Sequence, residues 1–125
     1  MKIKTLLLIF FISGVLSAQV SFDAKVSKKQ LGINERLRVD FTMNTDGDDF
    51  EPPSFENFTV VGGPSQSINN SWINGVRSFS KSYSYFLAPK KRGEFTIGQA
   101  TIKINGEIYK TLSRKITRDV LNFLN

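Results

Sequence analysis

Two Asn-Gly dipeptides restrict the fold of this chain more than any other feature of its sequence. Asn74-Gly75 and Asn105-Gly106 each stand between segments with the composition of β-strands. Both central residues of a type I′ turn need positive φ, and an Asn-Gly pair meets that need well. The sequence therefore predicts two antiparallel hairpins, one that pairs residues 65–73 with 76–87 and one that runs into Ile108-Tyr109.

A period-two alternation of apolar and polar residues indicates strands with one buried face. It covers residues 20–26 and 36–43, and it continues on the strand that follows Asn74-Gly75. A sheet that is apolar on one face must bury that face against a second layer. On the strand after the turn, four side chains are expected to point into the core: Phe79, Tyr83, Tyr85 and Leu87.

The remaining segments predict further short strands. Residues 58–61 are expected to form one that ends at Gly62-Gly63-Pro64, because proline cannot donate to a strand ladder. Residues 95–97 and 101–104 are predicted to form a strand pair or one bent strand, and residues 116–120 a last strand. We therefore expect an all-β fold, an antiparallel immunoglobulin-like β-sandwich of about seven strands, with a small barrel as the alternative.

The amino terminus is typical of a secretory signal peptide. Lys2 and Lys4 precede an apolar run over residues 6–12, and small residues ending at Ala18 offer a cleavage site. A retained membrane anchor is the competing interpretation. The run is well short of the roughly 20 residues that a spanning helix needs, so export with cleavage is preferred.

The length of 125 residues fits a single domain. We expect a signal peptide over residues 1–18 and one β-sandwich domain over residues 19–120. Residues 121–125 are expected to be a tail or the truncated start of a following segment.

The positive charge of the chain is modest and dispersed. The formal net charge is +6, and it falls to +4 if Lys2 and Lys4 leave with the signal peptide. The other positive residues stand mostly in pairs where strand ends and turns would expose them, so a solvated rim explains them better than a nucleic-acid site. We expect no nucleic-acid partner, while a weak attraction to anionic envelope polymers stays open.

The chain contains no cysteine and no histidine. No disulfide can stabilise the exported domain, and the commonest metal ligand and general base are missing. An active site would need paired carboxylates, such as Asp46 with Asp48 or Glu94 with Glu107, or a Ser-Lys dyad. Carboxylates in loops are usually solvated surface, so we predict no enzyme, no catalytic residues and no cofactor.

One acidic loop begins like a calcium-binding motif. Asn44, Asp46 and Asp48 place oxygen ligands at alternate positions. Asp49 and Phe55 then stand where the motif requires a glycine and a glutamate. An ordinary acidic loop is the preferred interpretation, a low-affinity cation site is the alternative, and no metal site is predicted.

Two exposed positions are candidate contacts for a partner. Trp72 lies beside the hairpin tip, where it could anchor a partner or pack across the strands against Phe79. The second candidate is a basic turn formed by Lys90, Lys91 and Arg92. They are the candidate contacts of a protein-protein interaction module, whereas Trp72 and Tyr109 as stacking platforms would indicate a carbohydrate-binding module.

Several segments in a fixed order resemble a known family. They are residues 50–65, with Pro52-Pro53 and Gly62-Gly63-Pro64, then Asn74-Gly75, and finally residues 83–89 and 93–97. Their order and spacing over most of residues 20–110 resemble the amino-terminal β-sandwich domain of the BatD family, the oxygen-tolerance or aerotolerance proteins.

The resemblance implies a protein with several β-sandwich domains and a transmembrane helix, located in the periplasm or at the periplasmic face of the inner membrane. It implies a role in oxygen tolerance or envelope stress, with von Willebrand factor A-type and MoxR-associated proteins as candidate partners. Membrane attachment is expected only if the full-length protein carries a carboxy-terminal helix. No site residue is carried over from the family. We expect a non-enzymatic assembly module of the bacterial cell envelope.

Overall fold

A computed structural model describes residues 19–118, and all regular elements in that part of the chain are β-strands. They are β1 (Phe22–Val26), β2 (Gln30–Leu31), β3 (Leu37–Met43), β4 (Asp48–Glu51), β5 (Phe58–Ile73), β6 (Val76–Pro89), β7 (Gly93–Ile97), β8 (Thr101–Ile104), β9 (Glu107–Lys110) and β10 (Arg114–Arg118). The expected all-β sandwich is confirmed, with ten strands instead of about seven. The predicted signal peptide and tail lie outside the described residues.

The strands form one large sheet and two small ones. The large sheet has the order β1-β3-β6-β5 and is antiparallel throughout. The small sheets have the orders β2-β10-β7 and β4-β8-β9, and β2 pairs with β10 in parallel. Within residues 19–118, no helix has the length and hydropathy of a membrane span. One core joins the three sheets: Phe22, Ala24, Leu31, Leu37, Val39, Phe41, Met43, Phe55, Phe58, Tyr85, Leu87, Ile97, Ala100, Ile102, Ile104 and Ile116.

Of the two alternatives for residues 95–97 and 101–104, the strand pair is wrong. β7 pairs with β10, whereas β8 pairs with β4 and β9 in another sheet. The connection between them, residues 98–100, ends at Ala100, which is fully buried. Its N–H donates to the Thr111 hydroxyl at 2.9 Å, and its carbonyl accepts from the Thr111 N–H at 3.0 Å. This pair continues the register of β8 with β9, in which Thr101 pairs with Lys110. The alternation within residues 95–104 does not reveal which partner each strand takes.

This buried contact gives a stability prediction. In Thr111→Val the side chain keeps its shape, but the Ala100 N–H loses its side-chain acceptor inside the core. We expect a loss of about 1–3 kcal/mol in the free energy of unfolding, measured by urea denaturation. Thr96→Val, on the exposed side of β7, is the control and should change stability by less than about 0.5 kcal/mol. Equal effects of the two substitutions would contradict the assigned role of Thr111.

The expected strand end at Gly62-Gly63-Pro64 is also wrong. β5 continues through these residues to Ile73, with one register shift between Val60 and Gly62 and another between Gly62 and Ser65. Proline is tolerated because β5 is the outer strand of its sheet. On the side that faces away from β6, the described part of the chain has no neighbouring strand in the sheet to which a backbone N–H would have to donate. The shifts act as β-bulges, which bend a strand and increase its twist.

Candidate interaction surface

The hairpin of β5 and β6 extends past the sheet that carries it. The two strands stay paired as far as the Asn74-Gly75 turn, whereas β3 pairs with β6 only from Leu87 to Lys81. Residues 69–80 therefore project beyond the last pair with β3, by roughly 15–20 Å at the rise of a β-strand. These twelve residues are called the ribbon below.

Positive φ at both turn residues closes the ribbon. The φ angles are 53° at Asn74 and 78° at Gly75. The second predicted turn has the same form, with 51° at Asn105 and 84° at Gly106, and it joins β8 to β9. Both hairpin predictions are confirmed.

The tip of the ribbon exposes large apolar side chains. Every residue from 63 to 78 is exposed. Trp72, Ile73 and Val76 flank the turn with exposed fractions of 69%, 67% and 68%. Because a folded domain seldom leaves such a group in water, the tip is a candidate contact surface. The sequence indicated Trp72 as a candidate contact but not Ile73 and Val76. Both residues directly flank Asn74-Gly75, so the predicted turn already implied that they lie at the tip.

Residues 65–68 of β5 and 81–84 of β6 form the base of the ribbon. The register divides the ribbon and this base into two chemically different faces. On one face Trp72 lies opposite Arg77, Asn70 opposite Phe79, and Ile68 opposite Lys81. The other face is mostly hydroxyl and amide, with the cross-strand pairs Ser71–Ser78, Asn69–Ser80, Ser67–Ser82 and Ser65–Ser84.

Phe79 is not a core residue, contrary to expectation. It lies half-buried on the ribbon, whereas Tyr85 and Leu87 are buried as predicted and Tyr83 packs partly buried against the core. The Arg77 guanidinium lies 5.5 Å from the centre of the Phe79 ring and donates to the Asn70 side-chain oxygen at 3.0 Å. Phe79 is therefore covered by Arg77, and the residue directly across from Trp72 is Arg77.

Contacts at the base hold the ribbon in place. The Lys81 ammonium bonds to the Asp46 carboxylate at 3.1 Å, and this hydrogen bond raises the pKa of Lys81 above its ordinary value. The same ammonium lies 5.5 Å from the centre of the Tyr83 ring. The Tyr83 ring stacks on Phe50 with centroids 4.1 Å apart and planes 9° from parallel. An ion pair and an aromatic stack thus fix the direction in which the ribbon leaves the body.

The acidic loop beside the base is engaged in protein contacts. A cavity of about 360 Å³ lies between this loop and the ribbon, lined by Asn44, Thr45, Asp46, Arg77 and Phe79. The Asn44 side-chain oxygen accepts from the Ser21 N–H at 2.8 Å, while Asp46 pairs with Lys81. Across residues 19–118, no group of three or more His, Cys, Asp or Glu side chains is placed to hold a metal ion.

The basic turn and the ribbon tip are separate surfaces. Lys90, Lys91 and Arg92 are exposed and follow directly after β6. Trp72 lies across from Arg77, near the start of that strand. At the rise of a β-strand, the two positions are roughly 40 Å apart, so one small partner could not contact both.

The side chains considered for a sugar platform or an active site do not converge. Tyr109 is half-buried against the core in β9, and its hydroxyl donates to the Glu107 carboxylate at 3.3 Å. Trp72 belongs to the large sheet and lies at the exposed tip. Glu94 pairs with Lys115 at 3.6 Å, in a different sheet from Glu107.

Comparison with known proteins agrees with the resemblance found in the sequence. A family model described as the BatD DUF11 like domain matches residues 24–117, which include the ribbon and its base. No curated protein is similar in sequence to this chain. The match covers most of the chain and nearly all of the described β-sandwich. The chain belongs to the BatD family.

Proposed function

We propose that this chain is a non-enzymatic protein-protein assembly module of the cell envelope and that the ribbon is its contact surface. Membership of the BatD family supports an envelope-associated module in broad terms. The observation that carries the proposal is the apolar tip, where Trp72, Ile73 and Val76 are each about two-thirds exposed.

The ribbon has the composition and geometry of a binding element. Tryptophan and arginine dominate the energetic centres of interfaces, and Trp72 and Arg77 stand side by side at its tip. The pair of Lys81 with Asp46 orients the ribbon before a partner arrives. A surface that is already ordered loses less conformational entropy on binding, so more of the contact energy appears as affinity.

The dispersion of ionisable groups supports a function without catalysis. Catalytic groups need neighbours that shift their pKa values within a shared cleft. Here Asp46 bonds to Lys81 of the large sheet, and Glu94 bonds to Lys115 within the β2-β10-β7 sheet. These are pairs of the kind that orient loops and strands.

The setting of the module is part of the same proposal. Export and a location in the periplasm, or at the periplasmic face of the inner membrane, are supported by the signal-like amino terminus and the family. Von Willebrand factor A-type and MoxR-associated proteins are the candidate partners, in a role connected with oxygen tolerance or envelope stress. Lys90, Lys91 and Arg92 form a second candidate contact for a different part of the assembly.

The test compares two isoleucines that differ in location and share their exposure. Ile73 at the tip is 67% exposed, and Ile108 on β9 is 66% exposed. In a pull-down from envelope extract with the full chain as bait, Trp72→Ala and Ile73→Ala should each reduce partner recovery by about tenfold. Ile108→Ala should leave recovery unchanged.

Two outcomes would count against this assignment. Equal recovery with Trp72→Ala, Ile73→Ala and the parent chain would exclude the tip as the contact surface. Loss of recovery only after charge reversal at Lys90 and Lys91 would move the contact to the basic turn.

A further inference from the structure

The outer edge of β5 offers free backbone hydrogen-bonding groups. Among residues 19–118, β5 pairs with β6 alone. In a hairpin with a two-residue turn, the residues beside the turn exchange hydrogen bonds and the pattern then alternates along the strands. Because Ile73 pairs with Val76, the residues whose backbone groups face outward are Gln66, Ile68, Asn70 and Trp72.

This edge lacks the features that usually prevent strand addition. Proteins protect edge strands with charged residues, prolines and bulges. In β5 the bulges and Pro64 protect only the part nearest the core. Residues 65–73 contain no charged residue, no proline and no register shift. This segment is called the free edge, and it is an open template for another strand.

We propose that the free edge pairs with the free edge of a second copy of this chain, antiparallel and centred on Asn70. A two-fold axis between the strands then places Asn70 opposite Asn70 of the second copy. Ile68 lies opposite Trp72 of the second copy. By the same symmetry, Trp72 lies opposite Ile68 of the second copy. Both members of each pair carry the outward-facing backbone groups, so the hydrogen-bonding pattern is satisfied.

Side-chain chemistry favours this register. An aromatic residue opposite a β-branched residue is a favourable cross-strand pair. Within each hairpin, Trp72 pairs with Arg77 and Ile68 pairs with Lys81. The dimer therefore aligns four side chains across four neighbouring strands, in the order Arg77, Trp72, Ile68 of the second copy and Lys81 of the second copy. The two cations stand at the outer ends, three strand spacings or about 14 Å apart. Solvent ions screen repulsion over that distance, since the Debye length is about 8–10 Å.

The antiparallel direction also keeps the two bodies apart. β5 runs from the core at Phe58 to the tip at Ile73. The second copy runs the opposite way, so its body lies beyond the first tip and its own tip reaches Ser67. The pairing stops before Pro64, where the bulges turn the edge away. The result is one continuous sheet of eight strands built from two four-stranded sheets.

Cysteine cross-linking tests the register directly, because the chain has no cysteine of its own. In Asn70→Cys, the two introduced residues form a hydrogen-bonded pair with Cα atoms about 5.5 Å apart, a distance that a disulfide can span. Ser78→Cys is the matched control, exposed on the ribbon but in β6. In the dimer the two β6 strands are about 14 Å apart, too far for a disulfide.

The purified full chain should give disulfide-linked dimers in mild oxidant about tenfold faster for Asn70→Cys than for Ser78→Cys at equal concentration. Equal, slow cross-linking of both variants would overturn the proposal. The comparison concerns the purified chain alone and goes beyond the proposed function. Partner recovery from envelope extract can therefore succeed or fail independently of it.

A second measurement follows the tryptophan fluorescence of the parent chain. Trp72 is the only tryptophan, so emission reports its environment alone. Emission should shift to shorter wavelength as protein concentration rises, and Ile68→Lys should abolish the shift by placing a charge opposite Trp72 of the second copy. Emission that is independent of concentration would overturn the proposal. A shift seen only with phosphatidylglycerol vesicles would assign the tip to a lipid surface and overturn it equally.

Discussion

Phe41→Ala is expected to remove about 3–5 kcal/mol from the free energy of unfolding. Phe41 is fully buried in β3, at the centre of an aromatic cluster. Its ring centre lies 5.7 Å from Phe50, 6.4 Å from Phe55 and 5.9 Å from Tyr85. The substitution loses the transfer free energy of the ring and leaves a cavity between both layers of the sandwich. Against a total stability of about 5–15 kcal/mol, that loss could unfold the domain.

Urea denaturation followed by circular dichroism would measure the effect, because tryptophan emission reports only the exposed tip. Phe86→Ala is the control, since Phe86 lies on the outer face of β6 and is 41% exposed. It should cost about 1 kcal/mol or less. A similar loss for both variants would mean that burial of Phe41 is not what stabilises the fold. Phe41→Leu should fall between them because most of the volume is kept.

The sequence predicted the parts of the fold that depend on neighbouring residues. The turns at Asn74-Gly75 and Asn105-Gly106 need positive φ, a requirement that residue identity alone reveals. The alternation in β1 and β3 reports burial on one face, and both strands lie where the pattern placed them. These features are local, so no knowledge of the remaining chain was needed.

The errors arose where distant residues decide the structure. Gly62-Gly63-Pro64 has the composition of a strand end, yet β5 continues because its proline lies on an outer strand. Sequence does not show which strand will be outermost. Likewise, β7 and β8 separate because β7 pairs with β10, whereas β8 pairs with β4 and β9. The local pattern of residues 95–104 contains no information about β10 or β4.

In the candidate site too, features set by neighbouring residues were predictable and features set by distant residues were not. Trp72 could be placed at a hairpin tip because the turn was recognisable. That Phe79 would lie outside the core could not be predicted, since its alternation matches that of the buried Tyr85 on the same strand. The difference is that β3 ends its pairing at Lys81, so Phe79 lies on a part of β6 that has no β3 neighbour and is outside the core cluster. The projection of the ribbon is therefore a consequence of unequal strand lengths in the sheet.

The irregular part of β5 that leads to the ribbon lies close to β6, and Gly63→Ala should destabilise the domain by about 2–4 kcal/mol. Gly63 has a φ of 91°, which favours glycine. A Cβ atom at this position would lie 2.4 Å from the Ser84 carbonyl oxygen and 3.1 Å from the Tyr85 Cα atom. Both are backbone atoms of the paired strand, so relief requires β5 and β6 to move apart.

Gly75→Ala separates the two causes of that loss. Gly75 has a φ of 78°, but a Cβ atom there would meet no other atom within 4 Å. It should therefore show only the conformational cost, about 1–2 kcal/mol, in the same urea titration. The difference between the variants measures the clash with Ser84. If Gly63→Ala cost no more than Gly75→Ala, the close approach of the two strands at the bulge would be too soft to orient the ribbon. Its direction would then depend on the pair of Lys81 with Asp46 and the stack of Tyr83 on Phe50.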